Sequence, residues 1–165
     1  MQNHFRLVLA TLSLGLFPNV WAQATDVQPA KDEPKIHMIY MGGNDCPPCV
    51  AWRALELPKL QKSAAFKVIT FSYVQKAIKS PVPSSFFLPD EVKPYKEKLD
   101  QAGKNRPGSA QVAVLVNGDV YDYFWGTRSA EEIEEMILSI KSGGRYPFKS
   151  CLKFTGAFKT CSTKG

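Results

Sequence analysis

Cys46-Pro47-Pro48-Cys49 places two thiols two residues apart, directly ahead of a helix-like pattern. Dithiol–disulfide exchange needs that arrangement. One cysteine attacks, and the other, a helical turn later, resolves the mixed disulfide. Pro47 and Pro48 fix the backbone between the thiols, so the pair closes with little loss of chain entropy. At a helix start Cys46 meets unpaired amides and a positive dipole end, which favour the thiolate. The prolines limit this effect because neither has an amide hydrogen, which leaves Cys49 N–H as the nearest donor to the Cys46 sulfur. Asp45, if close, disfavours the thiolate. The expectation is a moderately lowered pKa and a reduction potential nearer about −270 mV than about −120 mV. Cys46 is the expected exposed attacker and Cys49 the shielded resolver.

Two competing readings exist for the pair, an inert staple and half of a zinc site. A four-thiol zinc site needs a second closely spaced pair. The remaining cysteines, Cys151 and Cys161, have nine residues between them, a poor spacing for that purpose. Redox exchange is therefore favoured, and neither a metal nor a cofactor is expected. Cys151 and Cys161 are expected to bond to each other, stapling the C-terminal tail at a gain of roughly 2–3 kcal/mol. A second redox pair that relays electrons is the alternative for them.

The compartment suits a disulfide. A basic tip at Arg6, an apolar run from Leu7 to Phe17 and the small-x-small end Ala22-Gln23-Ala24 form a secretory signal, residues 1–24. The apolar run is too short for a stable bilayer anchor. The mature chain is thus expected to be periplasmic or secreted, without stable membrane insertion, where disulfides persist. Without Arg6, 20 Lys and Arg face 15 Asp and Glu. Six of those cations, Lys141, Arg145, Lys149, Lys153, Lys159 and Lys164, lie in a C-terminal stretch with no acid. The tail, residues 143–165, is therefore basic and the domain near neutral, with no nucleic-acid motif.

The elements that must position the dithiol follow from pattern and punctuation. Residues 25–34 are a polar, proline-containing lead-in. Lys35 to Met41 reads as a buried strand, and Gly42 to Asp45 as the loop delivering Cys46. A helix is expected from Pro47 to about Ala65, with the prolines in its first turn and Pro58 kinking or dividing it. Phe66 to Val74 reads as a second buried strand. After a proline-rich connection, Asp90 is expected to cap a helix reaching about Ala102. Gln111 to Val116 and Asp119 to Trp125 read as strands joined by an Asn117-Gly118 hairpin turn. Ser129 and Glu132 form a capping box for a last helix to about Lys141.

This order, with Cys46-Pro47-Pro48-Cys49, the Asn117-Gly118-Asp119 turn and the Gly126-Thr127-Arg128-Ser129 helix entry at matching spacing, resembles the thioredoxin superfamily over residues 35–142. The resemblance implies an α/β thioredoxin-like fold: a central mixed β-sheet flanked by helices, with the dithiol at a helix N-terminus. Three positions depart from the family pattern. Asp45 stands where a tryptophan is usual. Tyr40 replaces a buried acid. Ala110 falls where a cis-proline faces the dithiol, with Pro107 three residues away as the alternative. A cis bond before a non-proline residue costs about 2.5–4 kcal/mol, so a trans bond is expected before Ala110. Pro47, Pro48, Asp45, Tyr40 and Ala110 are the expected shapers of the site.

The functional expectation is a periplasmic thiol–disulfide oxidoreductase, leaning to reduction or isomerisation. Its partners would be protein thiol or disulfide clients and a redox partner protein. The alternative is a thioredoxin-like binding or assembly module whose CxxC is structural. Trp52 and Trp125 read as core or rim aromatics, His37 as a buried or hydrogen-bonded strand residue, and Phe148, Phe154 and Phe158 as tail-packing residues. Glu131, Glu132, Glu134 and Glu135 suit a helix start by dipole and solvation.

Overall fold

A computed structural model of the protein describes residues 33–148. The signal segment, most of the lead-in, Phe154, Phe158 and the expected Cys151–Cys161 bond lie outside the described residues. Four strands form one mixed sheet in the order β2-β1-β3-β4. Strand β1 (Ile36–Gly42) pairs in parallel with β2 (Ile69–Gln75) and antiparallel with β3 (Gln111–Val116), which pairs antiparallel with β4 (Asp119–Trp125).

The central position of β1 explains its composition. Every residue of Ile36–Gly42 is buried, and its side chains alternate between two cores. Ile36, Met38 and Tyr40 face a cluster built with helices α1 (Pro47–Leu55), α2 (Leu57–Lys62) and α4 (Ala130–Ser142). Ile39 and Met41 face a second cluster with Leu99 of α3 (Lys96–Gly103) and with Val82, Leu88 and Val92 of the long connection. The expected second buried strand behaves differently. Phe66–Val68 is a 3₁₀ turn, and β2 starts only at Ile69. It is an edge strand, so most of its side chains are partly exposed.

Local chemistry sets most boundaries. Pro58 divides the expected long helix, because its ring and missing N–H fit the first turn of α2 better than the interior of α1. Asn117 (φ 53°) and Gly118 (φ 86°) make the hairpin turn, both in the left-handed region that such a turn requires. Ser129 accepts from Glu132 N, and the Glu132 carboxylate accepts from Ser129 N, which closes the capping box of α4. Gly143 ends α4 at φ 67°. The expected cap at Asp90 does not form. Its carboxylate pairs with Lys93, a 3₁₀ turn over Lys93–Tyr95 intervenes, and α3 starts at Lys96 with no side-chain cap. The amides that an Asp90 cap would hold, Val92 N and Lys93 N, donate instead to the Pro89 carbonyl at 2.9 and 3.1 Å.

Candidate functional site

The dithiol sits where β1 ends and α1 begins. Cys46 is the N-cap of α1, and its carbonyl accepts from Cys49 N (2.9 Å) and Val50 N (3.0 Å). Pro47 and Pro48 occupy the first two helical positions. With no amide hydrogen on either, Cys49 N is the donor that reaches the Cys46 sulfur, at 3.3 Å. Cys46 and Cys49 are joined as a disulfide, with Cα atoms 5.2 Å apart.

The expected difference in exposure between the two sulfurs is not present. Cys46 and Cys49 are both 0% exposed. Pro47 and Pro48 form the exposed face of the motif, whereas the sulfurs belong to the buried cluster that includes Tyr40, Trp52 and Ala110. A polyproline first turn turns its rings outward, and the tertiary cluster closes over the thiols behind it.

Ala110 is itself part of that cluster at 1% exposure. The peptide bond between Ser109 and Ala110 is cis, so the trans expectation was wrong and Pro107 does not take the cis position. Hydrogen bonds flank this bond on both sides. The Gly108 carbonyl just ahead of it accepts from Lys76 Nζ, which also lies 3.5 Å from Ser109 Oγ. On the other side, Gly126 N donates to the Ala110 carbonyl at 2.9 Å.

Lys76 was not singled out by sequence reading. It follows β2, is only 3% exposed, and spends its ammonium on backbone carbonyls. Burial lowers its pKa to about 8, with Asp45 pulling the other way. The signal in sequence was faint: a lysine directly after an apolar strand normally reads as solvated. Asp45 in turn accepts from Ile78 N at 3.0 Å, so its carboxylate anchors the loop after β2.

Two glycines make room for these contacts. A Cβ on Gly42 would lie 2.9 Å from Tyr40 Cε1 and 3.1 Å from Cys49 Sγ. One on Gly43 would meet the Lys76 carbonyl oxygen at 2.4 Å. The loop ahead of Cys46 can therefore pass between strand, dithiol and Lys76 only without side chains.

Tyr40 stacks on Trp52, with ring centroids 4.3 Å apart and planes 10° apart. Burial raises its phenol pKa to about 12, Arg53 opposing the shift. Trp52 Nε1 donates to the Arg128 carbonyl at 2.7 Å, which ties α1 to the entry of α4. Glu56 adds a second tie by accepting from Ala130 N at 2.9 Å. Between these ties lies a hollow of about 380 Å³ lined by Pro48, Trp52, Leu55, Glu56 and Thr127. Trp52 is thus a core residue, and Trp125 a half-exposed rim residue against Tyr123. Phe148 packs as expected, under the Arg128 guanidinium at 3.6 Å. His37 Nε2 shares a 2.9 Å hydrogen bond with Ser72 Oγ, well away from the sulfurs in register. Among the described residues no group of three or more His, Cys, Asp or Glu side chains converges on a metal-binding point.

The spacing of the two sulfurs suggests thiol–disulfide chemistry. A disulfide of CxxC spacing stands at a helix start, on an α/β fold with a four-stranded mixed sheet. Compared with models of known protein families the chain matches none, and it matches no curated protein.

Proposed function

We propose that this protein is an exported thioredoxin-like thiol–disulfide oxidoreductase, periplasmic or secreted, acting on protein cysteines through Cys46 and Cys49. The observation that carries this reading is the Cys46–Cys49 bond at the N-cap of α1, with Cys49 N donating to Cys46 Sγ. In the reducing direction the Cys46 thiolate attacks a client disulfide and forms a mixed disulfide, releasing one client thiolate. Cys49, deprotonated, then attacks Cys46 Sγ, which forms the internal disulfide and releases the second client thiolate. The client gains two electrons and, at neutral pH, two protons, and the pair loses them. A redox partner protein with a dithiol restores the reduced state.

Pro47 and Pro48 restrict the backbone of the motif, and Ala110 takes the place opposite the dithiol. Tyr40 and Asp45 shape its inner and outer sides. The hollow beside Pro48 and Leu55 offers a rest for a client segment on the face of α1 that carries Pro48.

The complete enclosure of Cys46 favours a second reading, a binding or assembly module with a structural CxxC. Insulin reduction with dithiothreitol as electron source separates the two. Under the first reading wild-type protein accelerates the reaction and Cys46→Ser returns it to background. Acceleration that survives Cys46→Ser, or is absent from the wild type, removes the oxidoreductase reading.

A further inference from the structure

Among the described residues, one buried side-chain polar atom has no hydrogen-bond partner, and it is Tyr40 Oη. Other tyrosine hydroxyls buried in the fold are satisfied. Tyr73 Oη donates to the Gly42 carbonyl at 2.7 Å, Tyr123 Oη to Gln111 Oε1 at 2.6 Å, and Tyr146 Oη to Asp122 Oδ2 at 2.7 Å. Tyr40 is 1% exposed, so water does not replace the missing partner from the surface. Its ring cannot swing away to find one. Trp52 stacks on it at 4.3 Å between centroids, and the Tyr73 ring lies 6.1 Å away.

The place of this orphan hydroxyl gives it meaning. The Tyr40 ring edge and Cys49 Sγ both lie within 3.1 Å of one point, the position a Cβ on Gly42 would take. The Tyr40 ring edge and the Cys49 sulfur are therefore neighbours, and both residues are buried. In the disulfide state Cys49 Sγ is bonded to Cys46 Sγ, a poor acceptor held in place by its partner. Reduction by a dithiol breaks the S–S bond. Two electrons and two protons pass to the pair, and the reductant becomes a disulfide. Cys49 Sγ is then free to turn about its Cα–Cβ bond and, as thiol or thiolate, accepts a hydrogen bond more readily.

We propose that Tyr40 Oη is a redox-linked positioning group: it is unpaired in the disulfide state and donates a hydrogen bond to Cys49 Sγ once the pair is reduced. The cost of an unsatisfied buried hydroxyl then falls on the oxidised form alone. Tyr40 thereby shifts the dithiol–disulfide equilibrium toward the dithiol, and it does so where the resemblance of the chain would place a carboxylic acid. The inference rests on Cys46–Cys49 being redox-active.

The test is a glutathione equilibrium on the full chain, wild type against Tyr40→Phe, with the redox state of Cys46 and Cys49 read by alkylation and peptide mass. Phenylalanine keeps the stacked ring and removes only the hydroxyl. The expected result is an equilibrium on the order of tenfold further toward the disulfide in Tyr40→Phe, about 30 mV more negative. Thermal unfolding in each state supplies a readout that a merely structural role would not move. Oxidised Tyr40→Phe should be at least as stable as oxidised wild type, and reduced Tyr40→Phe less stable than reduced wild type. A wild type that titrates and a Tyr40→Phe that titrates identically, or that loses equal stability in both states, overturns this inference while leaving the oxidoreductase reading intact. A wild-type pair that dithiothreitol cannot reduce in the folded protein overturns both. Should Tyr40→Phe not fold, the wild type alone decides. The ¹³Cζ resonance of Tyr40 should move on reduction while that of Tyr123 stays, and an unmoved Tyr40 resonance overturns the inference.

Discussion

The two ends of β1 are built differently. At its start, His37 bonds to Ser72, and Ser72 donates to Glu91 Oε1 at 2.9 Å. Lys35 and Asn117 exchange two hydrogen bonds of 2.9 Å where the strand enters the sheet. Burial holds the His37 pKa below its ordinary value, Glu91 opposing. At its end, a phenol goes unpaired, a lysine is buried beside carbonyls, two glycines pass through space no side chain fits, and a disulfide lies underneath. One end satisfies its polar groups within a single arrangement. The other leaves one buried hydroxyl, Tyr40 Oη, without a partner in the disulfide state. Proteins tolerate such local conflicts where chemistry requires them.

The comparison can be broken from either side. The largest expected effect is on the packing that both ends share. Trp52→Ala removes the plate against Tyr40 and the bond to the Arg128 carbonyl, and should cost about 3–5 kcal/mol in urea unfolding. A loss below 1 kcal/mol would mean the dithiol cluster is not the rigid compartment described above.

Lys76 gives a signed pH effect. Its folded pKa is about 8 against an ordinary 10.5. Between those values the unfolded chain binds a proton that the folded chain does not. Wild-type stability should therefore rise with pH across that window relative to Lys76→Met, by up to about 1.4 kcal/mol per pH unit. Well below pH 8 the buried charge is present in full and the difference should be flat. A difference that is flat from pH 7 to pH 10.5 would place the ammonium in solvent.

The smallest effect belongs to the start of β1. Ser72→Ala leaves His37 without its partner, at a cost of about 1 kcal/mol, the low end because Glu91 is exposed to water. The glutathione equilibrium of Cys46–Cys49 should not move. If Ser72→Ala moves it as far as Tyr40→Phe does, the two ends are not independent and the contrast fails.

Much of this was legible in sequence because it depends on short-range chemistry. Asn117-Gly118 forces a left-handed turn, Ser129 and Glu132 close a box over three residues, and Pro58 fits a first helical turn but not a helix interior. The CxxC spacing placed the disulfide at a helix start for the same reason. What was not legible depends on distant partners. The edge position of β2 follows from which strands it pairs with, not from its own residues. The cis bond before Ala110 lies beside Lys76 and Gly126, whose contacts come from β2 and β4. The burial of Cys46 comes from a cluster assembled from both sheet and helices. The Asp90 cap failed for a local reason: the Pro89 carbonyl takes the two amides, Val92 N and Lys93 N, that the carboxylate would have held.

The central claim is that Cys46, although enclosed, is the reacting sulfur of the folded protein. The direct measurement uses Cys49→Ala, in which no second thiol can resolve a mixed disulfide. Folded Cys49→Ala is incubated with oxidised glutathione, and the products are mapped by peptide mass. The Cys46 thiolate should attack the glutathione disulfide, keep one glutathione in a stable mixed disulfide and release the other as a thiol. Glutathione found on Cys46 in the native protein is the result this account predicts. Cys46 that stays unmodified until denaturant is added would contradict it, and would leave Cys46–Cys49 as a structural staple.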